Sequence, residues 1–385
     1  MNAEVMLNIG VICHDAGNAA TITDHIAAIT HGSPHHAKVL PVWPSNSLLN
    51  LDFELFDALI IHYTIVAKDH TFLTPVVRKK FAEFTGLKVA FIQDEYRFIN
   101  ATIDALGELG IGLLFTCVPD GETDKVYSRK KLPTTKVLNV LTGYVPANLL
   151  GQPVPQYSHR RYDVGYRSRK VPMWLGELGW EKYRISIEFP EAIAAYRLRL
   201  DISCREEDRL YGQDWIRFTY NCKAFLGVES GASVFDFTGD IQSQVEAHQE
   251  RDPNVTFEEL QRLYFCEQEG KIRLNQISPR CFEAIALRTL LVLFEGEYSG
   301  ILKPWRHFVP LKKDYSNIDE VAAVILDQER AGAIIDAAYK EVALNPKYSF
   351  DAFGKYVASS IESTILPEQR RLSDPETIDR AIVLQ

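Results

Sequence analysis

Apolar runs and helical periodicities alternate along the first ~150 residues. Runs at 5–13, 37–42, 58–62, 88–93, 113–117 and 137–141 read as strands. Apolar residues at helical spacing over 73–84 and 101–109 read as helices between them. Strands separated by such helices predict βαβ units and a parallel sheet. Polar residues follow the strand ends: His14 with Asp15, His62 with Tyr63, then Asp94, Glu95 and Tyr96. Ligands of an open parallel sheet bind beyond the carboxyl ends of its strands, so these three ends form one site hypothesis.

A stretch at 146–163 with three prolines and one glycine reads as a linker. A second alternation follows, with strands expected at 162–166, 198–202, 224–228, 289–294 and 307–311. Helices are expected at 174–194, 257–269, 321–343 and 350–364, the third opened by Asn317 and Glu320 in a capping-box-like arrangement. The pattern predicts an α/β chain of two Rossmann-like parallel-sheet domains, at 1–150 and 160–345, neither carrying GxGxxG.

Two domains suit 385 residues. The net charge of −9 sets the expectation of no nucleic-acid partner. No apolar run reaches the ~20 residues of a membrane span, which still leaves room for peripheral membrane contact. The start MNAEVMLNIG, with its early Glu4, does not read as a signal peptide but as the first strand. Six scattered cysteines without a CxxC pair fit thiols in a reducing cytoplasm. His35 and His36 lack nearby acidic or cysteine companions and read as a solvated loop, not a metal site.

Asn275–Gly296 carries the most chemistry. Ser278 is a good N-cap, Pro279 suits the first helical position, and Arg280 and Glu283 follow within the first turns. Free amides at a helix entrance suit a phosphate, and a carboxylate nearby can hold a ribose hydroxyl pair. Arg167, Arg169 and Lys170 form a basic group after a strand, suited to a diphosphate, with Lys182 as a further candidate. Glu229, Ser230 and Gly231 lie in a small-residue loop that lets a ligand approach the backbone closely. Asp94 or Glu95 can act as general base on an acceptor hydroxyl, in competition with His14 and His62. Neighbouring residues on extended chain point opposite ways, so only one of the two carboxylates is expected to face a ligand. No DxD triplet, serine-hydrolase or P-loop pattern occurs, so no metal site is expected.

Several segments together resemble a family of bacterial glycosyltransferase-like proteins of the two-Rossmann-domain (GT-B) type. They are HYT at 62–64, FIQDEYR at 91–97, LFTCVP at 114–119, LTGYVP at 141–146 and DVGYRSRKVP at 163–172. Further on come LGVESGASVFDF at 226–237, ISPRCFEAIALRT at 277–289, EGEYSGIL at 295–302 and LKKDYSNIDEV at 311–321. The resemblance implies two domains facing a cleft, donor in the second and acceptor in the first, with 346–385 packing back on the first. It implies metal-independent transfer of a sugar from a nucleoside diphosphate sugar, with no other cofactor, in glycan biosynthesis. In retaining members a pair of glutamates eight positions apart marks the donor site. Glu283 matches the second, but Asn275 occupies the first, which leaves the stereochemical outcome open. An epimerase or phosphorylase on the same fold, or a non-catalytic nucleotide-sugar-binding protein, remain the alternatives.

Overall fold

The computed structural model of the chain describes residues 6–14, 19–43, 48–371 and 373–383. Val5 and Asp15 lie outside the described residues, as do Met1 to Glu4. The chain divides into two compact units, one of residues 1–140 and 350–385, the other of 141–349.

The first unit carries a parallel six-stranded sheet in the order β2-β1-β3-β4-β5-β6. Its strands are β1 (Asn8–Cys13), β2 (His36–Pro41), β3 (Ala58–Ile61), β4 (Leu87–Ile92), β5 (Leu113–Thr116) and β6 (Lys136–Asn139). Every residue of β1, β3 and β5 is buried. A parallel sheet covered on both faces needs such unbroken apolar runs, which is why they stood out in sequence. The helix Ala20–Thr30 has no side-chain N-cap and gave no clear signal. It packs against the helix Phe350–Glu362, where the His25 and Phe353 rings lie 4.5 Å apart.

His35 and His36 are not a solvated loop. His35 is buried, with Nε2 2.9 Å from Glu362, and His36 opens β2 with Nε2 3.3 Å from Asp379. Carboxylates more than 300 positions away supply the partners that the local sequence lacked.

The second unit carries a parallel five-stranded sheet in the order β11-β10-β9-β7-β8. Its strands are β7 (Tyr162–Arg167), β8 (Leu200–Ser203), β9 (Cys222–Gly227), β10 (Leu290–Phe294) and β11 (Val309–Leu311). The expected linker is instead tied into this unit. Buried Arg160 donates to the carbonyls of Cys222 and Arg288, each at 2.8 Å, and to Thr289 Oγ1 at 3.0 Å. Helices at Gly212–Tyr220 and Asp240–Arg251 join those expected. The single helix expected at 321–343 breaks at Asp327, whose carboxylate caps the next helix through the Glu329 and Arg330 amides.

Candidate functional site

Strand order locates the ligand-binding end of each sheet. In the second unit the chain leaves β7 for β8 on one side and reaches β9 on the other, so the topological switch lies between β7 and β9. The carboxyl ends there lead into Arg167–Lys170 and Val228–Gly231. A small recess opens at this place, lined among others by Tyr166, Lys182, Gly227, Ser230, Ser278 and Arg280. Four of the residues singled out in sequence, Lys182, Ser230, Ser278 and Arg280, therefore share one recess. Ser278 is the N-cap of the helix Pro279–Ala286, with Pro279 in the first turn and no side-chain cap bond. A cap hydroxyl not committed to its own helix suits a ligand oxygen.

Arg167 is placed otherwise than as a ligand for diphosphate. Its guanidinium donates to Asp201 Oδ1 at 2.6 Å and to the carbonyls of Asp201, Tyr166 and Asp208, and it stacks 4.3 Å from the Phe218 ring. The fork is committed to joining β7 to β8 and the loop beyond. Its own carbonyl accepts from Arg280 Nη1 at 2.5 Å. Arg169 and Lys170 are exposed, and Lys170 Nζ lies 4.9 Å over Tyr183.

Glu229 is likewise turned away from solvent. Its carboxylate accepts from the amides of Glu297 and Tyr298 at 3.0 and 2.7 Å, and from Asn275 Nδ2 at 2.6 Å. A buried carboxylate must be satisfied in this manner, and these bonds staple the β9 loop to the β10 loop. Gly296 makes room, since a Cβ there would lie 2.7 Å from that carboxylate. Ser230 pairs with Gln276 in a single antiparallel bridge, at 2.7 and 2.9 Å. Gly231 follows with φ +114°.

Glu283 is buried at 8% exposure, and its Oε2 accepts from Trp215 Nε1 at 2.8 Å. Trp215, on the helix Gly212–Tyr220, carried no signal as a site residue because it stands 68 positions from its partner.

In the first unit the switch lies between β1 and β3, ahead of His14 and His62. His62 is wholly buried. Its Nδ1 accepts from the Thr64 amide at 3.2 Å, so Nε2 carries the proton and donates to His25 Nδ1 at 3.0 Å. Burial lowers the His62 imidazole to about 3, and burial followed by the His62 charge lowers His25. A ring so enclosed has no route to an acceptor hydroxyl. His14 is half-buried, with Nδ1 3.0 Å from the Val42 carbonyl and its ring against Trp43 and Phe72.

Beyond β4, Asp94 is exposed and Glu95 buried. Glu95 accepts from the Thr116 and Tyr127 hydroxyls and, at 2.6 Å, from the Cys117 amide. Burial raises its carboxyl to about 7 against the opposing hydrogen bonds. It anchors the loop from within and is not placed to reach an acceptor. Asp94 is held outward at φ +56°. Among the described residues no group of three or more His, Cys, Asp or Glu side chains is placed to hold a metal ion.

These two parallel-sheet units have the GT-B architecture. The chain is similar to a solved alpha-glucosyltransferase in complex with UDP-glucose and DNA containing an abasic site, at TM-score 0.55 and 11% identity over 93% of this chain and 100% of that one. It is similar to the structure described as alpha-glucosyltransferase in complex with UDP and a 13-mer DNA containing a HMU base, at 0.55 and 10% over the same shares. A third, alpha-glucosyltransferase in complex with UDP, matches at 0.53 and 10% over 92% of this chain and 100% of that one. No protein-family model matches the chain, and none of the curated proteins does. The expectation of no nucleic-acid partner is withdrawn, because DNA is bound in structures of this same architecture. Net charge sums over the whole surface and says little about one local patch.

Proposed function

We propose that the chain is a glycosyltransferase that moves a sugar from a nucleoside diphosphate sugar to an acceptor hydroxyl. The observation that carries this reading is the recess at the β7/β9 switch, where Ser230, Ser278, Arg280 and Lys182 come together at a helix entrance. The UDP and UDP-glucose of the similar structures make a uridine donor the first to test. In this reading the diphosphate meets the helix entrance, Arg280, Lys182 and exposed Arg169, while Glu283, steadied by Trp215, receives the ribose. These donors would also stabilise the departing diphosphate as its charge develops. Asp94 is the base that this reading assigns on the acceptor side.

Calorimetric titration with UDP tests the donor assignment. Glu283→Gln keeps an acceptor oxygen for Trp215 yet removes the charge, so UDP should bind roughly tenfold more weakly while the melting temperature holds. Unchanged affinity would sink the ribose role; a matching loss of fold would make Glu283 purely a staple for Trp215.

The same reading makes the reaction metal-independent, with protein cations beside the diphosphate. Turnover of UDP-glucose should therefore survive excess EDTA. A loss restored by added magnesium or manganese would count against it. We also place the protein in the cytoplasm, in line with its six cysteines standing as thiols, four of them buried. Among the described residues no helix is long and apolar enough to cross a membrane.

A further inference from the structure

Two cations of the first unit converge on one aromatic ring beyond β3 and β4. Lys68 Nζ lies 4.7 Å from the Phe98 ring centre and Arg97 Cζ lies 5.4 Å from it. Lys68 also donates to the Arg97 carbonyl at 3.2 Å. Burial, together with the neighbouring Arg97 charge, lowers the Lys68 ammonium to about 8. Like charges brought this close oppose one another, and the ring face offsets only part of that.

The acids nearby are engaged elsewhere. Asp69 accepts from the Thr71 amide and hydroxyl, Asp104 pairs with Lys131, and Glu108 pairs with Arg78. Glu95 is turned into the core, and burial, with the charges of Cys117 and Asp94 adding to it, raises the Tyr63 phenol. No carboxylate lies within ion-pair distance of Lys68 or Arg97 among the described residues. An anion would relieve the repulsion and give Arg97 a two-pronged partner. Phe98 is also the residue from which the helix Ile99–Leu109 starts, and it provides no side-chain cap, so the helix entrance adds to the same positive field.

We propose that Lys68 and Arg97 form a binding site for a phosphate monoester, and that this group belongs to the acceptor. The site itself stands on the cation pair; only its assignment to an acceptor rests on the function proposed above. The substrate class is then a phosphorylated sugar or similar small hydroxyl compound, with the phosphate held here and a hydroxyl left to react.

Competitive amine acetylation of the full chain near pH 8, read by peptide mass spectrometry, tests this. Glucose 6-phosphate should slow the labelling of Lys68 roughly fivefold or more, with glucose inert and exposed Lys355 unaffected. Arg97→Glu should abolish the protection while leaving UDP affinity and melting temperature unchanged, since Arg97 is exposed. Absence of protection, equal protection by glucose, protection by inorganic phosphate only, or persistence in Arg97→Glu would each overturn the proposal. Protection by a dinucleotide phosphodiester but not by the monoester would overturn it too, in favour of a nucleic-acid backbone contact. If UDP fails to bind the wild-type chain while Lys68 is still protected, the donor reading falls and this site stands.

Discussion

Gly231→Ala is expected to destabilise the second unit by ~3 kcal/mol or more and to abolish UDP binding with it. At φ +114° the residue occupies backbone space that glycine alone adopts readily. A Cβ at this position would also lie 1.7 Å from the Leu274 carbonyl oxygen. That neighbour is backbone, and the adjacent Ser230–Gln276 bridge holds both chains in place. Strain of this kind costs about 1–3 kcal/mol, and the overlap adds a comparable amount. Urea unfolding should show the midpoint falling sharply, while Ser230→Ala, which keeps the turn, should leave it nearly in place. A midpoint for Gly231→Ala within error of wild type would mean that the turn can relax. The loop would then be free to move around a ligand, contrary to its stapled geometry.

The second large effect is a loss of stability in acid, centred on His62. Its pKa is about 3 in the fold against an ordinary value of 6.5. The folded state thus disfavours the charged ring, and the stabilisation is fully present above pH 6.5. It is lost as pH falls from there towards 3, at ~1.4 kcal/mol for each unit. Between pH 6.5 and 4.5 the expected loss is therefore about 2 kcal/mol from this ring alone. His25 acts in the same direction, because its pKa is also lowered. Glu95 acts oppositely. Raised from 4.5 to about 7, it favours the fold fully below pH 4.5, and that contribution fades as pH rises from there to 7. The clean measurement is accordingly the pH dependence of unfolding in wild type minus that in His62→Gln. A difference that stays flat between pH 6.5 and 4.5 would show that His62 is protonated in the folded protein. That result would also reopen its candidacy as a catalytic base, which the buried relay of Thr64, His62 and His25 now argues against.

The roles of the acidic residues divide along lines that the sequence could only half show. Asp94 and Glu95 were expected to point opposite ways, and one is exposed while the other is buried. Which of the two turns inward depends on Thr116, Cys117 and Tyr127, more than 20 positions later. Glu229 looked like a ligand contact because it follows a strand end beside serine and glycine. Its partners in the β10 loop and at Asn275 turn it into a staple, and the same holds for Arg167 with Asp201. Each of these groups carries the right chemistry at the right strand end, yet is already satisfied by the protein. Ser278 and Arg280 differ in that both line the recess at a helix entrance, although Arg280 Nη1 also donates to the Arg167 carbonyl.

By itself the sequence determined the strands, their parallel class and the two-unit α/β organisation. Those properties depend on apolar spacing within a few residues, and burial on both sheet faces writes them as continuous runs. Strand order, and with it the switch points that choose the ligand-binding ends, came only from pairing between distant segments. The tertiary structure also decided which polar residues remain open for a ligand. A buried charge must find a partner wherever the fold brings one, and in this chain those partners lie tens to hundreds of positions away.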